Sequence, residues 1–515
     1  MDDHYKIDPL TRFDLDDILM LIAQKKYFIL HAPRQTGKTS SLLALRDYLN
    51  ERDEYYAVYM NVEAGQAARN EIEKVVKAAI SSLSSSVDNE GIKKAVLSCA
   101  TGVSLESALT NALQTLAESS QKPVVLMIDE IDALIGDSLV SVLRQIRAGY
   151  HKRPESFPQS IILCGVRDIQ DYRIHRPDKE VITGGSAFNI KAKSLRIGNF
   201  SREEVEELLL QHTAETGQEF GDGVFDYVFD QTDGQPWLVN AMAYEATWEI
   251  RANRDRSVVI TADMMEEARN DLVISRATHL DQLAFRLKED RVRRIILPMI
   301  NNEESIAVDE DDRQYCIDLG LLKKTPHGLE ISNPIYREII PRELTTSRQE
   351  HFLSYFTPDW IRPDGSLDSN LLVRMFVTFW RENSNIWATD IAGYEEAAPH
   401  LVFQAFLQRV ANGNGTVYRE YGLNRGRTDL MLKWGKPHSP AEQRVVIELK
   451  VLRPKDGLES KKQQAIEQTF KYADACKATA VYILIFDRDN LHNWSEKIYE
   501  ESIQVGTYTM NIYGL

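Results

Sequence analysis

Tyr27-Phe-Ile-Leu-His-Ala-Pro-Arg-Gln-Thr-Gly-Lys-Thr-Ser-Ser-Leu-Leu-Ala-Leu45 is the stretch that decides the first half of the fold. Its apolar opening, Tyr27-Phe-Ile-Leu30, reads as a buried strand, and Ser40-Ser-Leu-Leu-Ala-Leu45 reads as a helix. Between them, Ala32-Pro-Arg-Gln-Thr-Gly-Lys-Thr39 is a turn that offers backbone N–H groups and a helix N-terminus to phosphates. Lys38 supplies positive charge to the β- and γ-phosphates, and the Thr39 hydroxyl can ligate Mg²⁺. The nucleotide contacts expected from this loop are Ala32, Pro33, Arg34, Gln35, Thr36, Gly37, Lys38, Thr39 and Ser40. Ala32 stands where the pattern G-x-x-x-x-G-K-[ST] has its first glycine, which restricts the backbone there.

Working outward, three more short apolar runs alternate with helical patterns: residues 56–60, 124–128 and 161–164. Continuous apolar runs separated by helices predict a parallel sheet buried on both faces. The third of the four strands continues as Val124-Val-Leu-Met-Ile-Asp-Glu-Ile-Asp132. Asp129 is placed to hold magnesium through its water shell, and Glu130 to polarise an attacking water. Arg167, after the last run, is either a γ-phosphate sensor at the ligand-binding edge of the sheet or a surface ion-pair partner. Gly234-Gln-Pro236 is either an adenine contact through Pro236 or a helix-start turn. Arg144, Arg147 and Arg173 are equal candidates for an arginine finger.

Further along, Ser201-Arg-Glu-Glu204 is a capping box opening a helical region to about residue 251. Between about 260 and 344 the pattern predicts a helical unit ending in a β-hairpin, with a strand on each side of a polar turn at 323–328. A basic run, Arg286, Lys288, Arg291, Arg293 and Arg294, is either a DNA-facing helix or a solvated one diluted by Glu289 and Asp290. Residues 345–391 are aromatic-rich and receive no further assignment. A last α/β unit follows.

That unit carries a second chemistry. Thr428-Asp-Leu-Met-Leu-Lys-Trp434 and Arg444-Val-Val-Ile-Glu-Leu-Lys-Val451 read as successive strands. Residues two apart on a strand share a face, so Glu448 and Lys450 project together, and Asp429 completes a carboxylate pair. Phosphodiester hydrolysis needs such carboxylates to hold Mg²⁺, with Lys450 orienting water or stabilising developing charge. A helix over 458–476 puts Gln468 and Tyr472 on one face, and an apolar strand follows at 480–486. Arg425 and Arg427 could grip a phosphate or simply keep a loop soluble.

Composition narrows the remaining options. A chain of 515 residues needs several cores. No apolar run approaches the ~18–20 residues of a membrane span. The polar Met-Asp-Asp-His-Tyr start shows no secretory signal. Four scattered cysteines, Cys99, Cys164, Cys316 and Cys476, predict reduced thiols in a cytoplasm and exclude a zinc ribbon. The net charge of −16 argues against coating nucleic acid by bulk electrostatics. From residue 401 onward there are 16 Lys/Arg against 13 Asp/Glu, a balance of +3, so the first 400 residues carry −19. A tail that is the least acidic part suits a phosphodiester substrate.

The loop at 32–39, the Asp129-Glu-Ile-Asp132 box, Arg167, Gly234-x-Pro236 and the hairpin-ending unit together resemble the AAA-like ATPases of the STAND and archaeal-ATPase group, over about residues 5–345. That resemblance implies an ATP- and Mg²⁺-binding P-loop sheet (1–195), a helical lid (196–258) and a winged helix (259–345), acting as a nucleotide-dependent switch that is often a homo-oligomer. It also implies that Tyr5-Lys-Ile-Asp-Pro9 flanks the adenine. The order Gly426-Arg-Thr-Asp429, Glu448-x-Lys450, Gln468-x-x-x-Tyr472 and strand resembles the PD-(D/E)XK nuclease superfamily, particularly RecB-like members, over about 390–515. It implies a restriction-endonuclease-like α/β domain (392–515) after a helical connector (346–391). Asp429, Glu448 and Lys450 would form its catalytic core, Gln468 and Tyr472 would assist, and an upstream glutamate would match Glu396, with Glu395 and Glu420 as rivals. The expected whole is an ATP-gated, Mg²⁺-dependent nuclease acting on nucleic acid, DNA ahead of RNA. The alternative is an ATPase switch whose C-terminal domain binds nucleic acid or a partner without cutting.

Overall fold

The computed structural model describes all residues except 1–4, 102–105, 168–172, 176–180, 184–189, 275–284, 301–308, 327, 342–343, 345–358, 389–397, 412–414, 424–425, 436–440, 453–456 and 488–491. Two compact units emerge: Met1–Ile274 with Glu310–Pro334, and Ser275–Asp309 with Ile335–Leu515.

In the first unit, β1 (Tyr27–His31), β2 (Tyr56–Asn61), β3 (Val124–Asp129) and β4 (Ser160–Gly165) are the four apolar runs read from the sequence. A short antiparallel ribbon, β5 (Arg173–His175) with β6 (Val181–Thr183), precedes β7 (Lys191–Arg196). The sheet order is β2-β3-β4-β1-β7, and every neighbouring pair is parallel. Alternation along each strand divides the core in two. Ile29, Val58, Leu126 and Leu163 face the helices Ile72–Ser85, Ala108–Ser119 and Gly136–Ala148. Phe28, Leu30, Ala57, Val125, Met127 and Ile162 face the helices Leu15–Ala23 and Lys38–Glu51. Burial on both faces explains why these strands read as unbroken apolar runs.

The helical region opens as expected. Ser201 caps the helix Arg202–Thr216 through the Glu204 N–H, and the Glu204 side chain accepts from the Ser201 N–H, closing the capping box. The helix Glu310–Asp318 leads into the antiparallel hairpin β8 (Leu322–Thr325) and β9 (Gly328–Ile331), again as expected. The basic run falls in the second unit, on and just before the helix Asp290–Ile300. There Arg286 pairs with Glu289 and Arg293 with Asp290.

The second unit is a mixed six-stranded sheet. Its strands are β10 (Gly415–Leu423), β11 (Gly426–Trp434), β12 (Gln443–Leu452), β13 (Ala480–Asp487), β14 (Glu500–Val505) and β15 (Tyr508–Gly514), in the order β10-β11-β12-β13-β15-β14. β12 and β13 are parallel, and the helix Leu458–Cys476 makes the crossover that parallel neighbours require. Ala465 and Ala473 of that helix pack on Ile483 and Ile485. The aromatic segment left unassigned by sequence contains the helix Ser369–Ala388. Its Phe376 ring lies 4.5 Å from Phe403 and 5.2 Å from Phe406, and Trp380 lies 5.1 Å from Phe486. The chain leading into that helix is tied to the sheet: Trp434 Nε1 donates to Gly365 O at 2.9 Å, and the Gln443 amide brackets the Leu367 backbone.

Candidate nucleotide site and candidate nuclease centre

The loop after β1 is held open by backbone geometry. Gln35 and Gly37 have φ of 57° and 88°, and Gly37 is the N-cap of the helix Lys38–Glu51. The Thr36 hydroxyl donates to Pro33 O at 2.8 Å. The buried Lys38 ammonium donates to Ala32 O at 3.2 Å and Pro33 O at 3.0 Å, so it is folded back into the loop it would serve. Arg34 and Ser40 are exposed on the loop and the first helical turn.

Asp129 ends β3 and is fully buried. Its Oδ2 accepts from the Thr39 hydroxyl at 2.7 Å and from the Tyr59 hydroxyl at 3.0 Å, and its Oδ1 accepts from the Glu130 N–H at 2.9 Å. A buried carboxylate joined to a hydroxyl beside a phosphate cradle is a hard-oxygen donor set that fits Mg²⁺. Glu130 follows in the left-handed region, φ 55°. Burial, then the nearby Asp132 charge, pushes its carboxyl above the usual range, with Lys38 opposing. Asp132 is spent on structure, accepting the Val166 N–H at 3.0 Å. Tyr59 was not singled out in the sequence, because a tyrosine inside the run Tyr56-Ala-Val-Tyr-Met60 reads as core. Burial and the Asp129 charge push its phenol up to about 12.

The other expected contacts sort differently. The Arg167 guanidinium lies over the Tyr315 ring at 4.8 Å. Gly234 has φ 67°, and a Cβ there would stand 2.0 Å from Phe200 O; Gln235 caps the helix that Pro236 begins. The Gly-Gln-Pro turn is therefore a helix start held against Phe200. Arg144 and Arg147 are exposed on the helix Gly136–Ala148. Arg173 contributes its backbone to β5, and its side chain lies outside the described residues. Tyr5 binds the helical region, its hydroxyl donating to Glu215 Oε2 at 2.5 Å.

In the second unit, Glu448 and Lys450 on β12 share a face as expected. Lys450 Nζ donates to Glu448 Oε1 at 2.8 Å and to Gln468 Oε1 at 3.0 Å. The Glu448 side chain is 4% exposed and that of Lys450 17%. The crossover helix thus brings Gln468 to β12, and Tyr472 follows one turn later. Asp429 lies on β11, whose register pairs Leu430 with Ile447, so Asp429 and Glu448 are the next residues along adjacent antiparallel strands. The side chains of Asp429, Arg427 and Glu420 lie outside the described residues, as do Glu396, Glu395 and Arg425 altogether. The helix Ala398–Ala411 offers the buried Gln404 and no acid. Among the described residues no group of three His, Cys, Asp or Glu is close enough to hold a metal, so the described part of this centre is Glu448, and Asp429 would supply the second carboxylate. Carboxylate oxygens at a strand pair again suit Mg²⁺.

A family model for the AAA-like domain matches residues 17–341. The chain belongs to the AAA-like domain family. A model for the PD-(D/E)XK nuclease superfamily matches residues 395–485 of this AAA-like protein, in the N-to-C order that the two motif sets predicted. Among solved structures, the Walker-type ATPase PABY2304 of Pyrococcus abyssi is 16% identical, covering 64% of this chain and 95% of its own, with a TM-score of 0.42. The Cdc6p structure from Pyrobaculum aerophilum is 15% identical, covering 67% and 97%, with a TM-score of 0.37. The RuvB Holliday junction branch migration motor of Thermotoga maritima is 12% identical, covering 64% and 95%, with a TM-score of 0.33. Comparison with curated proteins finds no match. The AAA-like protein thus joins a P-loop ATPase fold to a nuclease-superfamily domain, and no helix among its described residues is long and apolar enough to cross a membrane.

Proposed function

We propose that this AAA-like protein is an ATP-controlled, Mg²⁺-dependent nuclease acting on nucleic acid, with DNA as the first substrate to test. The observation that carries the cutting half is the Lys450 ammonium bridging Glu448 and Gln468 at 2.8 and 3.0 Å. An isolated surface Glu-x-Lys would be solvated; here Glu448 is buried and Lys450 partly buried at the crossover of a mixed sheet, bound to the glutamine of the motif order.

At the nucleotide site, Lys38 leaves the Ala32 and Pro33 carbonyls to meet the β- and γ-phosphates, while the helix N-terminus at Gly37 and Lys38 receives them. Thr39 and Asp129 would hold Mg²⁺, and Glu130 would accept a proton from the attacking water. At the second centre, Asp429 and Glu448 would hold a divalent cation that activates water and offsets charge on the scissile phosphate. Lys450 would sit beside the developing oxyanion, and Gln468 fixes its position. Glu396 and Tyr472 are assigned the accessory roles, and Arg167 the γ-phosphate contact. Control by ATP is inferred from having both sites on one chain, and a homo-oligomer is the expected working form.

The test is a cleavage panel on the full chain: supercoiled plasmid, linear duplex, single-stranded DNA and RNA, with Mg²⁺ or Mn²⁺, with and without ATP. Cutting that disappears in Lys450→Ala and becomes independent of ATP in Lys38→Ala is the expected result. Intact substrates under every condition with wild-type protein that binds them would establish a non-cutting switch instead. Cleavage by Lys38→Ala identical to wild type in all nucleotide states would remove the gating and leave the nuclease.

A further inference from the structure

Among the hydrogen bonds that Asp129 accepts, the one from Tyr59 is not part of the motif that located the site. Thr39 and the Glu130 N–H belong to the two chain segments that define a P-loop site; Tyr59 comes from β2. The parallel register pairs Tyr59 with Met127 and Asn61 with Asp129, so the phenol reaches forward along the sheet to the carboxylate. Its ring is half-buried against the core cluster that contains Leu42 and Leu45 of the helix after the loop. The ring is therefore anchored by packing, and the hydroxyl position is set before any ligand arrives.

The division of labour at Asp129 gives this contact a consequence. The Glu130 N–H pins Oδ1 from one side. On Oδ2 the partners are Thr39, at 2.7 Å, and Tyr59, at 3.0 Å. Thr39 has one hydroxyl proton and two lone pairs, so ligating a cation directs its oxygen toward the metal and constrains where its proton can point. Tyr59 has no cation to ligate; its hydroxyl shares only a further hydrogen bond with Asn61. We propose that Tyr59 is a positioning residue for the divalent cation that accompanies the nucleotide: its hydroxyl fixes the Asp129 carboxylate plane independently of Thr39, so the carboxylate meets the hydration shell of the cation already oriented. This rests on the nucleotide-site reading above. It predicts that Tyr59 contributes to metal-dependent affinity and not to binding of the nucleotide alone.

The experiment is calorimetric titration of ATP into full-length wild type and Tyr59→Phe, each in Mg²⁺ and in EDTA, with thermal melting of both proteins. Phe keeps the ring and its packing, and removes only the hydroxyl with its bonds to Asp129 and Asn61. The expected result is EDTA affinity unchanged within about twofold, while the gain on adding Mg²⁺ falls about tenfold, the effect of losing one hydrogen bond to a charged acceptor that water partly replaces. Mn²⁺ binding to the ADP-loaded proteins, read by electron paramagnetic resonance, should weaken by a similar factor. A purely structural tyrosine would lower the melting temperature and both affinities together, which would overturn the inference. An Mg²⁺ gain that is unchanged or larger in Tyr59→Phe would overturn it too, with the nucleotide site intact. Wild type that binds no ATP in either condition would instead overturn the nucleotide site itself, and this inference with it.

Discussion

Replacing Gly234 with alanine separates two explanations of the Gly-Gln-Pro turn. Gly234 sits at φ 67°, and its missing Cβ would lie 2.0 Å from Phe200 O and 2.9 Å from Phe200 C. Phe200 N also donates to Gly234 O at 2.8 Å, so the two segments are held at that spacing. Holding alanine in the left-handed region costs roughly 1–2 kcal/mol. Relieving a 2.0 Å approach to a backbone carbonyl requires one segment to move by about an ångström. That movement breaks the Phe200 bond, for roughly another 1 kcal/mol, and adds strain of 1–3 kcal/mol. The expected loss for Gly234→Ala is therefore about 3–6 kcal/mol. Gly217 is the control: it ends the helix Arg202–Thr216 at φ 75°, with nothing within 4 Å of its added Cβ. Gly217→Ala should cost only the left-handed term, about 1–2 kcal/mol. Urea denaturation of the full chain, followed by circular dichroism, measures both. Two variants equal within about 1 kcal/mol would refute the steric argument. If Gly234→Ala then lost ATP binding at near-normal stability, the turn would have to be read as a nucleotide contact.

Three further outcomes follow from the same geometry. Lys38→Ala should weaken ATP binding by roughly 100-fold or more, because it removes the positive charge nearest the β- and γ-phosphates, while the loss of its bonds to the Ala32 and Pro33 carbonyls costs about 1–3 kcal/mol of stability; equilibrium binding and urea denaturation check the two halves. Phe376→Ala should destabilise the second unit by about 3–5 kcal/mol, since its fully buried ring contacts Phe403 and Phe406, and denaturation with cleavage as a second readout tests it. Burial pushes the Tyr482 phenol from 10.0 up to about 12, so its contribution is complete below pH 10 and is lost as pH rises through about 12. Thermal melts from pH 9 to 12 should therefore show an alkaline loss that is smaller in Tyr482→Phe than in wild type by on the order of 2 kcal/mol.

Legibility followed burial symmetry. The four strands covered on both faces declared themselves as apolar runs. β7, whose Lys191-Ala-Lys-Ser-Leu-Arg196 lies at the sheet edge with only partial cover, did not. In the helix Ser369–Ala388, the stripe of Leu372, Val373, Phe376, Phe379 and Trp380 was present in the sequence, but its partners are Phe403, Phe406 and Phe486, far along the chain. Period two placed Glu448 with Lys450, and helical spacing placed Gln468 with Tyr472; only the crossover could bring Gln468 to Lys450. Tyr59 stayed hidden because its ring obeys the apolar pattern while its hydroxyl serves the site.

The order in which the two compact units draw on the chain has a practical reach. The first takes Met1–Ile274 and returns for Glu310–Pro334, while the second takes Ser275–Asp309 and resumes at Ile335. A single cut cannot excise either one: a fragment ending at residue 334 keeps 275–309 without the sequence that completes their unit, and one starting at residue 335 lacks them. The same interleaving sets a schedule during synthesis. The first unit cannot close until its hairpin emerges, and the helix Asp290–Ile300 belongs to a unit whose remainder begins only at Ile335. A chain threaded this way is built to be made, kept and lost as one piece.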